Sequence, residues 1–200
     1  MDILSYLIGI SPSYLIPNFS VPCVKDISDD FLERNGIEAI ILDMDRTLSL
    51  HHRNIHPQVD AWLSHISESE KYKETTYILT NCNQHRYDEL VQMLSSKYPN
   101  VKVIMANPKK PNPLAYNQIA SDIRTQGKDP LKAIMIGDRL GTDVAFGNMA
   151  RIISVEVEPL KGERKYMLGL LHEPVGNYIM RQFEQLLLRA YKNNIFYHYH

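Results

Sequence analysis

Four groups of polar residues in this sequence belong together chemically. Asp43 and Asp45 follow the apolar run Ala39-Ile40-Ile41-Leu42, and Thr80 and Asn81 follow Tyr77-Ile78-Leu79. Lys109 and Lys110 come after Val101 to Met105, and Asp138 and Asp143 after Ala133 to Ile136. An acidic pair, a hydroxyl, an amine and a further acid are the inventory for holding a hard divalent cation and a phosphate together. A lone Asp after a strand is more often a turn or cap residue. Four complementary clusters, each placed just after an apolar run, favour one shared site.

The elements that must position these residues can be read around them. The apolar runs are short and rich in Ile, Val and Leu, the pattern of strands buried on both faces, and Arg151 to Val157 adds a fifth. Between the strands lie helical patterns at Pro57 to about Ile66, His85 to about Lys97, Pro113 to about Arg124 and Val144 to Met149. Asn112 before Pro113 marks a helix start, and Ser28 to Asn35 with Gly36 behind it reads as a short capped helix. The spacing Ile179, Phe183, Leu186, Leu187, Ala190 predicts a last helix. Strands alternating with helices give fold class α/β: a three-layer α/β/α Rossmann-like fold with a mainly parallel central sheet. In such sheets ligands bind at the carboxyl ends of the strands, where all four clusters would converge.

At 200 residues, 44% hydrophobic and 22% charged, the chain suits about one ordinary soluble domain, and disordered or disulfide-scaffold classes are excluded. A net charge of −1 and the lack of a basic stripe interleaved with aromatics argue against a nucleic-acid partner. Cys23 and Cys82 form no C-x-x-C pair, so zinc is set aside. No apolar run approaches the length of a transmembrane helix. Residues 1–24 are apolar, with no Lys or Arg, and lack the charged region of a secretory signal. This segment is set apart from a single domain at 25–200. Its residues Leu4 to Phe19 either anchor the protein at a membrane interface or pack on the sheet edge.

Asp43-Met44-Asp45-Arg46-Thr47 after a hydrophobic strand resembles the first motif of the haloacid dehalogenase superfamily of phosphatases. Ile78-Leu79-Thr80-Asn81 is similar to its second motif, Lys110-Pro111 to its third, and Gly137-Asp138-Arg139-Leu140-Gly141-Thr142-Asp143 to its fourth. The likeness runs from Ile37 to about Val157 in the family's order. It implies that Asp43 is the nucleophile and Asp45 the general acid and base. Thr80, with Asn81, would bind the phosphoryl group, and Lys110, with Lys109 as a credible substitute, would neutralise charge. Mg²⁺ would be held by Asp43, the Asp45 carbonyl and Asp138, while Asp143 acts on the metal through water or orients Lys110.

Many members carry a cap domain over the site. Here Leu48 to Thr75 and Cys82 to Asn100 each have room for about one helix and its loops, so no cap domain is expected and the site should be open. Gly137-Asp138-Arg139-Leu140, Thr142-Asp143-Val144, Gly147-Asn148 and Leu15-Ile16-Pro17-Asn18-Phe19 resemble the phosphatidylglycerophosphate phosphatases of bacteria and mitochondria. That resemblance implies a phospholipid substrate on the route to phosphatidylglycerol and cardiolipin. It also implies an intracellular, peripherally membrane-associated enzyme, on the matrix side of the mitochondrial inner membrane or the cytoplasmic face of a bacterial one. The competing reading is a soluble phosphatase of the same mechanism acting on a nucleotide, sugar phosphate or phosphoprotein. His51, His52 and His56 read as a solvated loop by the site mouth. Lys161, Arg164, Lys165, Arg181, Arg189 and Lys192 make the C-terminal part locally basic, as a solvated amphipathic helix and tail or as an interface element with Phe196, Tyr197 and Tyr199.

Overall fold

The computed structural model describes residues 10–50, 54–161 and 181–189. Six parallel strands form one sheet: β1 (Phe19–Val21), β2 (Ala39–Leu42), β3 (Thr76–Thr80), β4 (Lys102–Met105), β5 (Ala133–Gly137) and β6 (Ile153–Val157). Their order is β1-β6-β5-β2-β3-β4. From β2 the chain steps outward through β3 to β4, then returns to the other side of β2 with β5. The topological switch point therefore lies between β2 and β5, where the crevice of an open parallel sheet forms.

Side chains alternate across a strand, so each apolar run feeds two cores. Ile40, Leu42, Ile134 and Ile136 meet α1 (Asp29–Arg34), α2 (Pro57–Glu68) and α3 (Gln84–Ser95) through Leu32, Trp62, Leu63, Leu90 and Leu94. Ala39, Ile41, Ala133 and Met135 meet α4 (Tyr116–Thr125) and α5 (Ala145–Met149) through Ile119, Ile123 and Phe146. Three layers result, and the central strands β2, β3 and β5 are buried at every residue. Their continuous apolar runs have no solvent-facing side to mark with polar residues.

Side-chain caps fix several helix starts. Ser28 Oγ accepts the Phe31 N–H at 3.2 Å, and Asn83 Oδ1 accepts the Arg86 N–H at 2.9 Å. His56 caps α2 by accepting the Gln58 N–H at Nδ1 (3.2 Å), directly before Pro57. That histidine serves the helix rather than a loop. His51 and His52 lie outside the described residues. Gly36 takes φ +64 behind α1, a left-handed conformation open to a residue without Cβ.

Two expectations from the sequence need correction. The sheet has six strands, not five: Phe19–Val21 pairs with Val155, Glu156 and Val157 of β6 at the sheet edge. Between Pro17 and Pro22 this run is too short to show a period. The described part of the segment set apart, residues 10–24, thus packs on the domain and supplies its edge strand, with Ile10 and Leu15 buried against Leu140, Val144 and Ala145. Tyr14 and Phe19 remain 40% and 37% exposed, while Leu4, Tyr6, Leu7 and Ile8 lie outside the described residues. Residues 181–189 form a helix, α6, within the span expected for the last one, but its inner face differs from the one expected. Leu186 is 62% exposed, whereas Leu188 and Glu184 are buried. Ile179, Ala190, the stretch from Arg164 to Pro174 and the aromatic tail lie outside the described residues. Among the described residues no helix is long and apolar enough to cross a membrane.

Candidate active site

The register Leu42↔Ile136 and Leu42↔Ile78 levels the carboxyl ends of β5, β2 and β3. Asp43 is tied to this edge by its N–H, which donates to the Ile136 carbonyl at 2.9 Å. The chain then turns tightly. Leu48 N–H and Ser49 N–H both donate to the Met44 carbonyl at 3.0 Å, with Met44 and Leu48 fully buried as the anchors of the turn. Arg46 inside it has φ +65, an uncommon conformation for a residue with a Cβ, and its N–H donates to the Ser49 carbonyl at 2.6 Å. This turn sets Asp45 at the rim, partly exposed. Thr80, 3% exposed, closes β3 beside it.

Lys110 connects the clusters. Its Nζ donates to Asp43 Oδ1 and to Asp143 Oδ1, each at 2.7 Å, and its side chain is 1% exposed. The lysine is aimed by Asn81, whose Oδ1 accepts the Lys110 N–H at 2.7 Å and whose Nδ2 donates to the Lys110 carbonyl at 3.0 Å. Both ends of the Asn81 amide thus hold the backbone of Lys110. Lys109 is exposed, so of the two adjacent lysines it is Lys110 that reaches the carboxylates.

Asp143 sits in the wide helical turn Leu140–Val144, with Oδ1 on Lys110 and Oδ2 accepting the Arg139 N–H at 3.2 Å. Gly137 leaves the space for it: a Cβ there would stand 2.4 Å from the Asp143 carboxyl carbon. Asp138 is buried at the end of β5, and its carboxylate oxygens accept no well-aligned hydrogen bond among the described residues. Arg181 of α6 nevertheless forms an ion pair with it, Nη2 to Oδ2 at 2.6 Å. Oxygens of Asp43, Asp138 and Asp143 lie within 4.8 Å of one another.

Such crowding shows in the electrostatics. Burial, and then the charge of Asp143, pushes the Asp43 carboxyl up to about 8 despite Lys110. Burial lifts Asp138 to about 6 against the opposing guanidinium of Arg181. Burial works against the Lys110 ammonium, yet Asp143 and Asp43 together hold its pKa above the ordinary lysine value. Three carboxyl groups face two cations, Lys110 on Asp43 and Asp143 and Arg181 on Asp138, and are one positive charge short. Oxygen-rich, anionic and water-poor, the cluster fits a hard divalent cation. Asp143 already uses both oxygens on the chain itself. Asp43 Oδ2 and the Asp138 carboxylate are the groups that would hold the ion.

Sequence reasoning missed two participants around the site. From the sequence Arg181 reads only as part of a solvated amphipathic helix or an interface element, and nothing there predicts the Arg139–Glu184 ion pair, 3.2 Å with Glu184 2% exposed. The available signal was a charged pair at helical spacing in line with Leu188: residues 181, 184 and 188 share one face.

The chain is 25% identical over 182 residues to the chloroplastic phosphatidylglycerophosphate phosphatase 1 of Chlamydomonas reinhardtii, covering 90% of this chain and 63% of that protein. It therefore spans less than two thirds of that relative's length. It is 24% identical over 180 residues to the probable phosphatase YqeG of Bacillus subtilis (strain 168), covering 90% of this chain and 92% of that protein. An uncharacterized protein from Listeria monocytogenes serotype 4b, known from its crystal structure, aligns with 64% of this chain and 84% of its own at 16% identity and a TM-score of 0.47. A family described as mitochondrial PGP phosphatase matches residues 5–159, across β1 to β6 and every cluster above, and the chain belongs to that family.

Proposed function

We propose that the protein is a Mg²⁺-dependent phosphatase that hydrolyses the terminal phosphate monoester of phosphatidylglycerophosphate through an aspartyl-phosphate. The observation that carries this reading is the buried Lys110 Nζ, 2.7 Å from both Asp43 and Asp143, beside Asp138 at the switch point of the sheet. A carboxylate held by a lysine at a cation-binding edge suits attack on phosphorus.

The Asp43 carboxylate attacks phosphorus through one of its oxygens while the bond to the leaving glycerol oxygen breaks. Asp45, at the rim, gives that oxygen its proton and so leaves as a carboxylate. It then takes a proton from water, whose oxygen attacks the aspartyl-phosphate, releasing inorganic phosphate and restoring Asp43. Thr80 binds a phosphoryl oxygen, and Lys110 balances charge on Asp43 and the phosphate. Asp143 orients Lys110. Asp43 and Asp138 would hold a divalent cation, which would supply positive charge to balance the phosphoryl oxygens.

A lipid substrate is supported by the family and by exposed Tyr14 and Phe19 on the edge that carries β1. Aromatic side chains with one apolar face suit the headgroup level of a bilayer, which is the basis for peripheral membrane association. Phosphate release should be measured from phosphatidylglycerophosphate in vesicles and from a panel of nucleotides, sugar phosphates and a phosphopeptide, with Mg²⁺ and with EDTA. We expect Mg²⁺-dependent release, fastest from the lipid. A faster soluble ester would overturn the lipid assignment, and no release from any would overturn the phosphatase itself.

A further inference from the structure

Helix α6 lies beyond residue 159, where the family match ends, yet it reaches the centre of the site. Its seat is apolar. Leu188 is buried with Leu140, Val144 and Ala145, and Phe183 and Leu187 pack against the same cluster. From that seat two charged side chains descend onto consecutive residues of the loop after β5. Arg181 meets Asp138 and Glu184 meets Arg139, at 2.6 and 3.2 Å. Sliding the helix one way would bring Arg181 against Arg139, and sliding it the other way would bring Glu184 against Asp138. The two ion pairs therefore admit one register. All four side chains are at most 17% exposed, so a mismatched charge there would be costly.

Arg181 contacts its partner twice. Nη2 is on Asp138 Oδ2, and Nη1 donates to the Asp138 carbonyl at 3.2 Å. A planar guanidinium gripping a side chain and the backbone of the same residue fixes the direction of the carboxylate as well as its charge. Asp138 has no well-aligned hydrogen bond from any other described group to do this.

We infer that Arg181 is a positioning residue of this phosphatase, holding one oxygen and the carbonyl of Asp138 so that the other oxygen is presented to the cation. The inference rests on the proposed cation site. Because α6 keeps its own apolar seat, the function of Arg181 is separable from attachment of the helix. Groups that orient metal ligands from behind typically change affinity by about 10- to 100-fold when removed.

The test uses the full chain and Mn²⁺ as probe, with the dissociation constant measured by calorimetry and folding followed by circular dichroism. Arg181→Gln should weaken Mn²⁺ binding by about 10- to 100-fold. Arg181→Lys, which keeps the charge but loses the fork, should weaken it less, though measurably. Leu188→Ala, which loosens the seat and leaves the charges alone, should lower the melting temperature more than it lowers Mn²⁺ affinity. If Arg181→Gln does not fold, the lysine variant carries the test. Unchanged Mn²⁺ affinity in a folded Arg181 variant overturns the inference, and so does tighter binding, which would make Arg181 a competitor for Asp138. A wild-type chain that binds no Mn²⁺ overturns the cation site together with this inference, whereas wild-type binding with an insensitive Arg181 overturns this inference alone.

Discussion

The two ends of the parallel sheet use the same residue types to opposite effect. At the amino ends, charges are matched almost one to one and are wet. Lys132 pairs with Glu38 at 2.8 Å, and Lys102 with Asp122 at 2.6 Å beside the Tyr77 hydroxyl. The Lys132 side chain is 52% exposed, and both members of the Lys102–Asp122 pair are about a third exposed. At the carboxyl ends, Asp43, Asp138 and Asp143 crowd together with two cations between them, Lys110 on Asp43 and Asp143 and Arg181 on Asp138. The first arrangement satisfies its charges and can do no chemistry. The second leaves negative charge unbalanced in a dry place, which costs stability and creates affinity for a cation and a phosphate.

The sharpest way to break that contrast is Asp43→Asn. Phosphate release should fall by a factor on the order of 10⁴ or more, as for other covalent nucleophiles. The urea midpoint at pH 8 should hold or rise, because a crowded carboxylate has been removed. An active Asp43→Asn variant would falsify the assigned nucleophile. Lys110→Met comes next. It strands Asp43 and Asp143 without their shared cation, at an expected loss of about 3–5 kcal/mol in urea unfolding at pH 8. That loss should shrink at pH 5, where the raised Asp43 carboxyl can take a proton.

The pH dependence should have opposite signs at the two ends. Asp43 and Asp138 have pKa values raised to about 8 and about 6 in the folded chain. Their contribution is fully present below the unfolded carboxyl pKa of about 3.9 and is lost as pH rises toward those values. Glu38 is lowered by its hydrogen bond to Lys132. Asp122 is also lowered: burial raises it, but the hydrogen bonds from Lys102 and Tyr77 prevail. Their contribution is present above the unfolded pKa and is lost as pH falls through the folded one. In EDTA, thermal melts should show stability falling from about pH 5 to pH 8, and saturating Mg²⁺ should raise the midpoint more at pH 8 than at pH 5. An equal Mg²⁺ effect at both pH values would contradict a cation held by titrating carboxylates. The smallest effect belongs to Glu38→Gln, expected to cost no more than about 1 kcal/mol, because exposed pairs contribute little. Phosphate release should be unchanged.

Much of this was legible because burial dictates it. Ile40 to Leu42 and Ile134 to Ile136 had to be apolar on both faces, and the first charged residue after each had to stand at the sheet edge. Cap residues such as Ser28 and Asn112 were readable because their bonds are local. Edge strand β1 was not, since a run of three residues carries no period and its pairing with β6 spans the whole domain. The inner face of α6 was misread for a related reason. Hydropathy placed Leu186 inward, but burial of Glu184 opposite Arg139 turned the helix so that Leu188 became the anchor.

By itself the sequence determined the α/β class and the delivery of four polar clusters to the same edge, because strand burial and chain direction are set by local pattern. Only the tertiary structure decided between Lys109 and Lys110, turned Asn81 onto the backbone of Lys110, and brought Arg181 onto Asp138. Those outcomes depend on distances of a few ångströms between groups 29 to 67 residues apart in the chain. Coulomb and hydrogen-bond energies fall steeply over such distances, and no spacing in a linear sequence encodes them.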